Sequence, residues 1–177
     1  AQIDVHGLVR GRAQRHRDAH GCVELGRVAL AVAHAERVRR EALLTGDGVH
    51  LRQPETGIDH RLEQALQPFA FAGDGGMDCD LLGGASSDFN LMTRRGRWRG
   101  AVQVLRNQAV LPARPAGLLL AVQGRWTVTP LAATPGQAVV LAPDAGRWWA
   151  DEDCGWNVAP EANAGGSVLL HVLLEPA

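Results

Sequence analysis

Asp88-Phe89-Asn90-Leu91-Met92-Thr93-Arg94-Arg95-Gly96-Arg97-Trp98 is the stretch on which the fold turns. Apolar and polar residues alternate up to Thr93, the period of a half-buried strand. The alternation places Asp88, Asn90, Met92 and Arg94 on one face and Phe89, Leu91, Thr93 and Arg95 on the other. Phe89 and Leu91 are core anchors in this arrangement. Asp88 and Asn90 offer an acceptor and an amide toward a barrel interior, and Arg94 or Arg95 offers a planar fork for a carboxylate. A purely structural role competes with this: Asp88 and Asn90 would tie off backbone groups where the strand enters from residues 83–87. Asp88, Asn90, Met92, Arg94 and Arg95 form the candidate ligand-binding set. No residue is assigned a catalytic or a metal-binding role.

Working outward, short strands and tight turns follow one another on both sides. Residues 43–44 and 49–51 flank Thr45-Gly46-Asp47-Gly48, a hairpin signal. Residues 54–57 form a second turn and 58–62 a short edge strand. Residues 69–71, 79–82, 88–92, 101–105, 117–122, 126–128, 137–141 and 167–174 are further strand candidates. Thr134-Pro135-Gly136 is a turn ahead of the strand at 137–141. Residues 147–163, with Trp148, Trp149 and Trp156, suit a longer loop or a strand pair. Short strands at near-regular spacing predict an all-β sandwich or barrel.

The front of the chain differs. Residues 1–40 hold eight Arg against four acids, and no aromatic residue precedes Phe69. Residues 1–22 have no clean period and are expected to be loop. Leu25, Val28, Val32, Ala35 and Val38 recur at helical spacing, which predicts a helix over 23–44. The domain expectation is therefore an atypical segment over 1–40 and a single compact β domain over 41–177.

Composition narrows the chemistry. All 18 basic residues are Arg, so no Lys nucleophile or Schiff base is available. The three cysteines are far apart, with no CxxC, which argues against a disulfide framework or a zinc site and fits a reduced, cytoplasmic setting. No apolar run reaches the roughly 20 residues of a membrane span, and no secretory signal is evident. His50 and His60 are isolated, with Glu55 between them, and the next histidine after Pro135-Gly136 is His171. His16 and His20, four apart, lack the Glu of HExxH. The ligand count for a metal site is not met, and no cofactor is expected. Residues 41–177 carry ten Arg and 15 acids, a net of −5, so nucleic-acid binding through residues 94–99 is disfavoured against a solvated turn. Asp78 and Asp80 share a strand face, which solvent-facing alternation explains better than general acid–base work.

The long run at 88–98 resembles the signature of the HutD/Ves family. So do Leu43-Leu44-Thr45-Gly46-Asp47-Gly48-Val49-His50-Leu51, Phe69-Ala70-Phe71-Ala72-Gly73-Asp74 and Cys79-Asp80-Leu81-Leu82-Gly83-Gly84, in matching order. The resemblance extends from about Arg40 to the C-terminus. It implies a cupin-type double-stranded β-barrel (jelly roll), bicupin-like, with two cupin-like halves. It also implies a link to bacterial histidine utilisation and a regulatory or sensing role through a small carboxylate such as urocanate or formylglutamate, without a characterised catalytic activity. A homodimer is compatible with this picture. The alternatives are a metal-dependent cupin enzyme and an Arg-mediated nucleic-acid-binding regulator. Residues 1–40 lack the family's Trp-Lys-Asn-Gly-Gly-Gly segment. The expectation is a displaced start or reading frame there, which would remove part of the pocket.

Overall fold

The computed structural model describes residues 5–6, 37–131, 137–161 and 166–177. These divide into two compact units, one within Ile3–Arg97 and one within Trp98–Ala177. The architecture is the expected one: an all-β, cupin-type fold with antiparallel sheets, bicupin-like in its two units. Among the described residues the one helical turn is 3-10, at Pro54–Thr56. No helix among them is long and apolar enough to cross a membrane.

The first unit contains β1 (Val5–His6), β2 (Arg37–Thr45), β3 (Val49–Gln53), β4 (Ile58–Leu62), β5 (Phe69–Ala72), β6 (Asp78–Leu81) and β7 (Ser87–Arg94). They form a four-stranded sheet, β1-β7-β2-β5, and a three-stranded sheet, β4-β3-β6. Between these sheets lies a core of Leu43, Val49, Leu51, Leu62, Phe71 and Met77. The hairpin joining β2 to β3 turns on Gly46 and Gly48, both at positive φ (+97° and +88°). It is tied to the loop before β7 from both sides. Gly84 N donates to the Asp47 carboxylate (2.6 Å) and Gly48 N donates to Ser86 Oγ (2.8 Å). Polar side chains outside the core pair locally: His50 with Asp59 (2.5 Å), and Arg52 with Asp80.

The second unit is one six-stranded sheet, β11-β10-β12-β9-β13-β8. Its strands are β8 (Trp98–Leu105), β9 (Ala109–Gln123), β10 (Trp126–Pro130), β11 (Val139–Leu141), β12 (Gly146–Pro160) and β13 (Val168–Pro176). The core gathers Leu111, Leu119, Ala121, Trp126, Val128, Leu141, Trp149, Trp156, Val158 and Leu169. Trp149 faces Gly117 across the ladder, and its ring lies where a Cβ on Gly117 would stand, 2.5 Å away. The bare position lets the indole reach toward β13, where it stacks 6.5 Å from His171.

Two expectations are corrected. The helix over 23–44 is absent from the part described, because residues 37–45 are strand β2. Cross-strand pairing with β5 and β7 on both sides overrides the local helical spacing. The loop or strand pair over 147–163 is instead one long strand, β12. Its acidic run and Gly155 are absorbed by register shifts against β9 between Ala150 and Trp156. The partner strand carries Pro112 and Pro115 there, which lack the N–H that a regular ladder needs. Residues 7–36, with His16 and His20, and the turn at 134–136 lie outside the described residues.

His171 is the second unit's buried ionisable group, 1% exposed, with Nδ1 3.2 Å from Gln103 Oε1. Burial, and then the positive charge of Arg114, push its pKa down to about 4 from 6.5. A depressed imidazole pKa contributes stability that is present above 6.5 and lost as pH falls toward 4. Replacing His171 with Gln should therefore flatten the acid limb of a stability–pH profile between about 6.5 and 4, as followed by denaturant melts. Gly117→Ala should cost about 2 kcal/mol or more in the same assay, because its methyl would meet the Trp149 ring and the Val172 carbonyl.

Candidate functional site

Strand register decides which side chains meet in the first unit. On β2 and β7, Glu41 stands opposite Asn90, Arg39 opposite Met92, Leu43 opposite Asp88 and Arg37 opposite Arg94. On the other side, Glu41 stands opposite Phe69 and Arg39 opposite Phe71. Directly opposed residues point the same way. Arg39, Glu41, Asp88, Asn90 and Met92 thus share a face with Leu43 and Phe71. Those two belong to the core between the sheets, so this is the inner face of the unit. From the facing sheet, β4 supplies His60, stacked on Phe69 at 3.7 Å and 11°. The opposite face carries Ala42, Phe89 and Leu91, each 0% exposed.

The inner face is polar where an apolar lining would be cheaper. Glu41 is 2% exposed and is hydrogen-bonded to Asp88. Two carboxyl groups in hydrogen-bonding contact hold a proton between them. Burial raises both groups above their ordinary values. The Asp88 charge pushes Glu41 further up, to about 8, while Arg39 pulls it back. The hydrogen bond from Glu41 holds Asp88 down against its own burial. The hydrogen-bonded pair therefore holds one proton and carries one negative charge, with burial and the Asp88 charge favouring the protonated form of Glu41.

Three buried polar atoms on this face have no protein partner: Arg39 Nε, Glu41 Oε2 and Asn90 Oδ1. Buried polar atoms are satisfied in nearly all folded proteins, so each of these three is open to an ordered water or a ligand atom.

The sequence-predicted residues divide. Asp88, Asn90 and Met92 meet on the inner face as expected, and Phe89 and Leu91 are fully buried on the other. Met92 Sδ accepts from Arg37 Nη1 at 3.8 Å. Arg94 is on the same alternation but exposed at the strand end. Arg95 lies beyond β7, paired with Asp74 (2.8 Å). Sequence reasoning missed Arg39, Glu41 and His60. Alternation in Val38, Arg40, Ala42 and Leu44 against Arg37, Arg39, Glu41 and Leu43 was the available signal for the first two. For His60, the signal was its place two residues from Ile58 and Leu62 in an alternating strand. No group of three or more His, Cys, Asp or Glu is placed to hold a metal ion among the described residues.

An all-β cupin-type chain with a polar cluster inside one of its units is thus the class of protein in hand. The HutD family model matches residues 33–170, and the chain belongs to that family. Among curated relatives, Protein Ves of Cronobacter sakazakii is 35% identical over 84 residues, 47% of this chain and 42% of that protein. Protein Ves of Escherichia fergusonii is 32% identical over 110 residues, 62% of this chain and 52% of that protein. The chain thus spans about half the length of the curated relatives it matches. Among solved structures, a conserved protein of unknown function from Pseudomonas aeruginosa PAO1 aligns with a TM-score of 0.66 at 25% identity, covering 80% of this chain and 73% of that one. HutD from Pseudomonas fluorescens SBW25 (formate condition) aligns with a TM-score of 0.59 at 21% identity, covering 82% and 71%.

The raised Glu41 pKa sets a second pH limb. A carboxyl raised from 4.5 to about 8 contributes stability that is complete below 4.5 and lost as pH rises through 8. Stability of the first unit should fall across that window by up to about 1.4 kcal/mol per pH unit. Glu41→Gln, which keeps a donor toward Asp88, should flatten the slope. An unchanged slope in that variant would show that Glu41 is not the group responsible.

Proposed function

We propose that this HutD-family chain is a non-enzymatic protein that binds a small organic acid in the interior of its first unit, and that the binding serves regulation linked to histidine utilisation. The observation that carries the proposal is the trio of buried, unpartnered polar atoms Arg39 Nε, Glu41 Oε2 and Asn90 Oδ1. Phe69, opposite Glu41 in the register, and His60, stacked on Phe69, add an aromatic wall at Glu41. Such a mixture of a few oriented polar groups and apolar lining is the usual composition of a small-molecule site. Arg39 supplies the cation for a carboxylate. Its planar, permanently charged guanidinium suits that partner better than a flexible ammonium would. Urocanate and formylglutamate each bring a carboxylate that Arg39 can hold.

A thermal-shift screen with histidine, urocanate, formylglutamate and glutamate tests the proposal. A true ligand at 100 times its Kd should add about 2.7 kcal/mol of stability. Arg39→Ala and Asn90→Ala should each abolish the shift while leaving the far-ultraviolet spectrum of a β protein intact. A flat response to all four compounds would defeat the proposal.

A further inference from the structure

The unpartnered atoms differ in kind. Arg39 Nε is a donor, whereas Glu41 Oε2 and Asn90 Oδ1 are acceptors. A plain carboxylate satisfies only the first. A complete occupant brings one acceptor and two donors, and the donors lie close to the Glu41–Asp88 pair, which carries one negative charge while it shares a proton. Charge points the same way. With Glu41 protonated, Arg39 and Asp88 cancel, and the site offers no net charge to a second ionic group. Ionising Glu41 gives the acid pair two negative charges, enough to hold a cation against Asp88 while Arg39 holds an anion.

Building on the organic-acid proposal, we infer that the site selects a carboxylic acid that also bears an ammonium group, and that binding expels the proton shared by Glu41 and Asp88. The carboxylate lies on Arg39. The ammonium takes the place of that proton, donating to Asp88, Glu41 and Asn90 Oδ1. One proton leaves to solvent for each ligand bound, and no bond to carbon forms or breaks. The other ionisable groups on this inner face are few. On β2 and β7 they are Arg37, Arg39 and Arg94, the last exposed; β4 contributes His60, and β6 contributes Cys79, half-buried against the core. Strands β3 and β5 turn Gln53 and the two phenylalanines inward and contribute none. At β1, His6 occupies the register position opposite Asn90.

Glutamate and glutarate share both carboxylates and differ in the ammonium, so they isolate the inference. Isothermal titration of the full chain, at pH 6.5 and 7.5 in phosphate and in Tris, gives affinity and the number of protons exchanged. Glutamate should bind about tenfold more tightly at pH 7.5 than at 6.5, the limit for one proton released. Glutarate should bind more weakly and gain nothing from the higher pH. Glu41→Gln should remove the pH dependence for glutamate. Equal affinity for the two acids, or a pH-independent glutamate affinity in the wild-type chain, overturns the inference and leaves the organic-acid proposal standing. If neither compound binds the wild-type chain, the inference falls, while the organic-acid proposal is decided by the four-compound screen.

Discussion

The register of β2 against β7 is the constraint on which the first unit depends. With Glu41 opposite Asn90, the ladder sends Arg39, Glu41, Asp88 and Asn90 inward and Ala42, Phe89 and Leu91 to the other face. A slip of one residue would exchange the two sets, because the side-chain period of a strand is two. Phe89 and Leu91, each 0% exposed, resist such a slip, since their burial contributes on the order of 2 kcal/mol apiece. The apolar face thus fixes the position of the polar one. That division matters because the polar face cannot hold itself together: a buried acid pair gains little net energy over apolar packing of the same volume.

The same economy recurs in the second unit, described by itself. Trp126, Trp149 and Trp156 fill its core, and His171 is buried beside Trp149 as a neutral imidazole. Each unit therefore combines a large apolar core with an ionisable group held in its uncharged form: a protonated acid in one case and an unprotonated base in the other. The pH responses have opposite sign for this reason. Between about 4.5 and 6.5 one group loses its contribution with rising pH while the other gains it.

Much of the fold could be read from the chain because its strands are short, alternating and punctuated. The turn at Thr45-Gly46-Asp47-Gly48 and the strands at 58–62, 69–72 and 87–94 stand within a residue or two of where alternation and Gly placed them. The face division of Asp88, Asn90 and Met92 followed from periodicity alone. What escaped had a physical cause in each case. Residues 37–45 are flanked by a helical spacing of apolar residues, and only non-local pairing with β5 and β7 makes them a strand. The length of β12 was hidden by its acidic run, Asp151-Glu152-Asp153, and by Gly155, which interrupt alternation in the sequence but become register shifts in the sheet. Arg94 and Arg95 looked like carboxylate forks by residue type. Their fate depended on where β7 ends and on Asp74, a partner 21 residues away that no local pattern reveals.

Glu41 shows why site residues are harder to read than strands. Its residue type and its neighbours, Arg39 and Arg40, suggest a solvated ion pair on an exposed face. Only the pairing with Asn90 and the contact with Asp88, 47 positions along the chain, convert it into a buried acid. Every polar atom of the cluster comes from residues 39–90, within the stretch matched by the family model. Among the described residues of 1–40, Arg37 and Arg39 share the face of the cluster, and His6 stands opposite Asn90 in the register. The chemistry proposed for the site rests on β2 and β7, which are both in place.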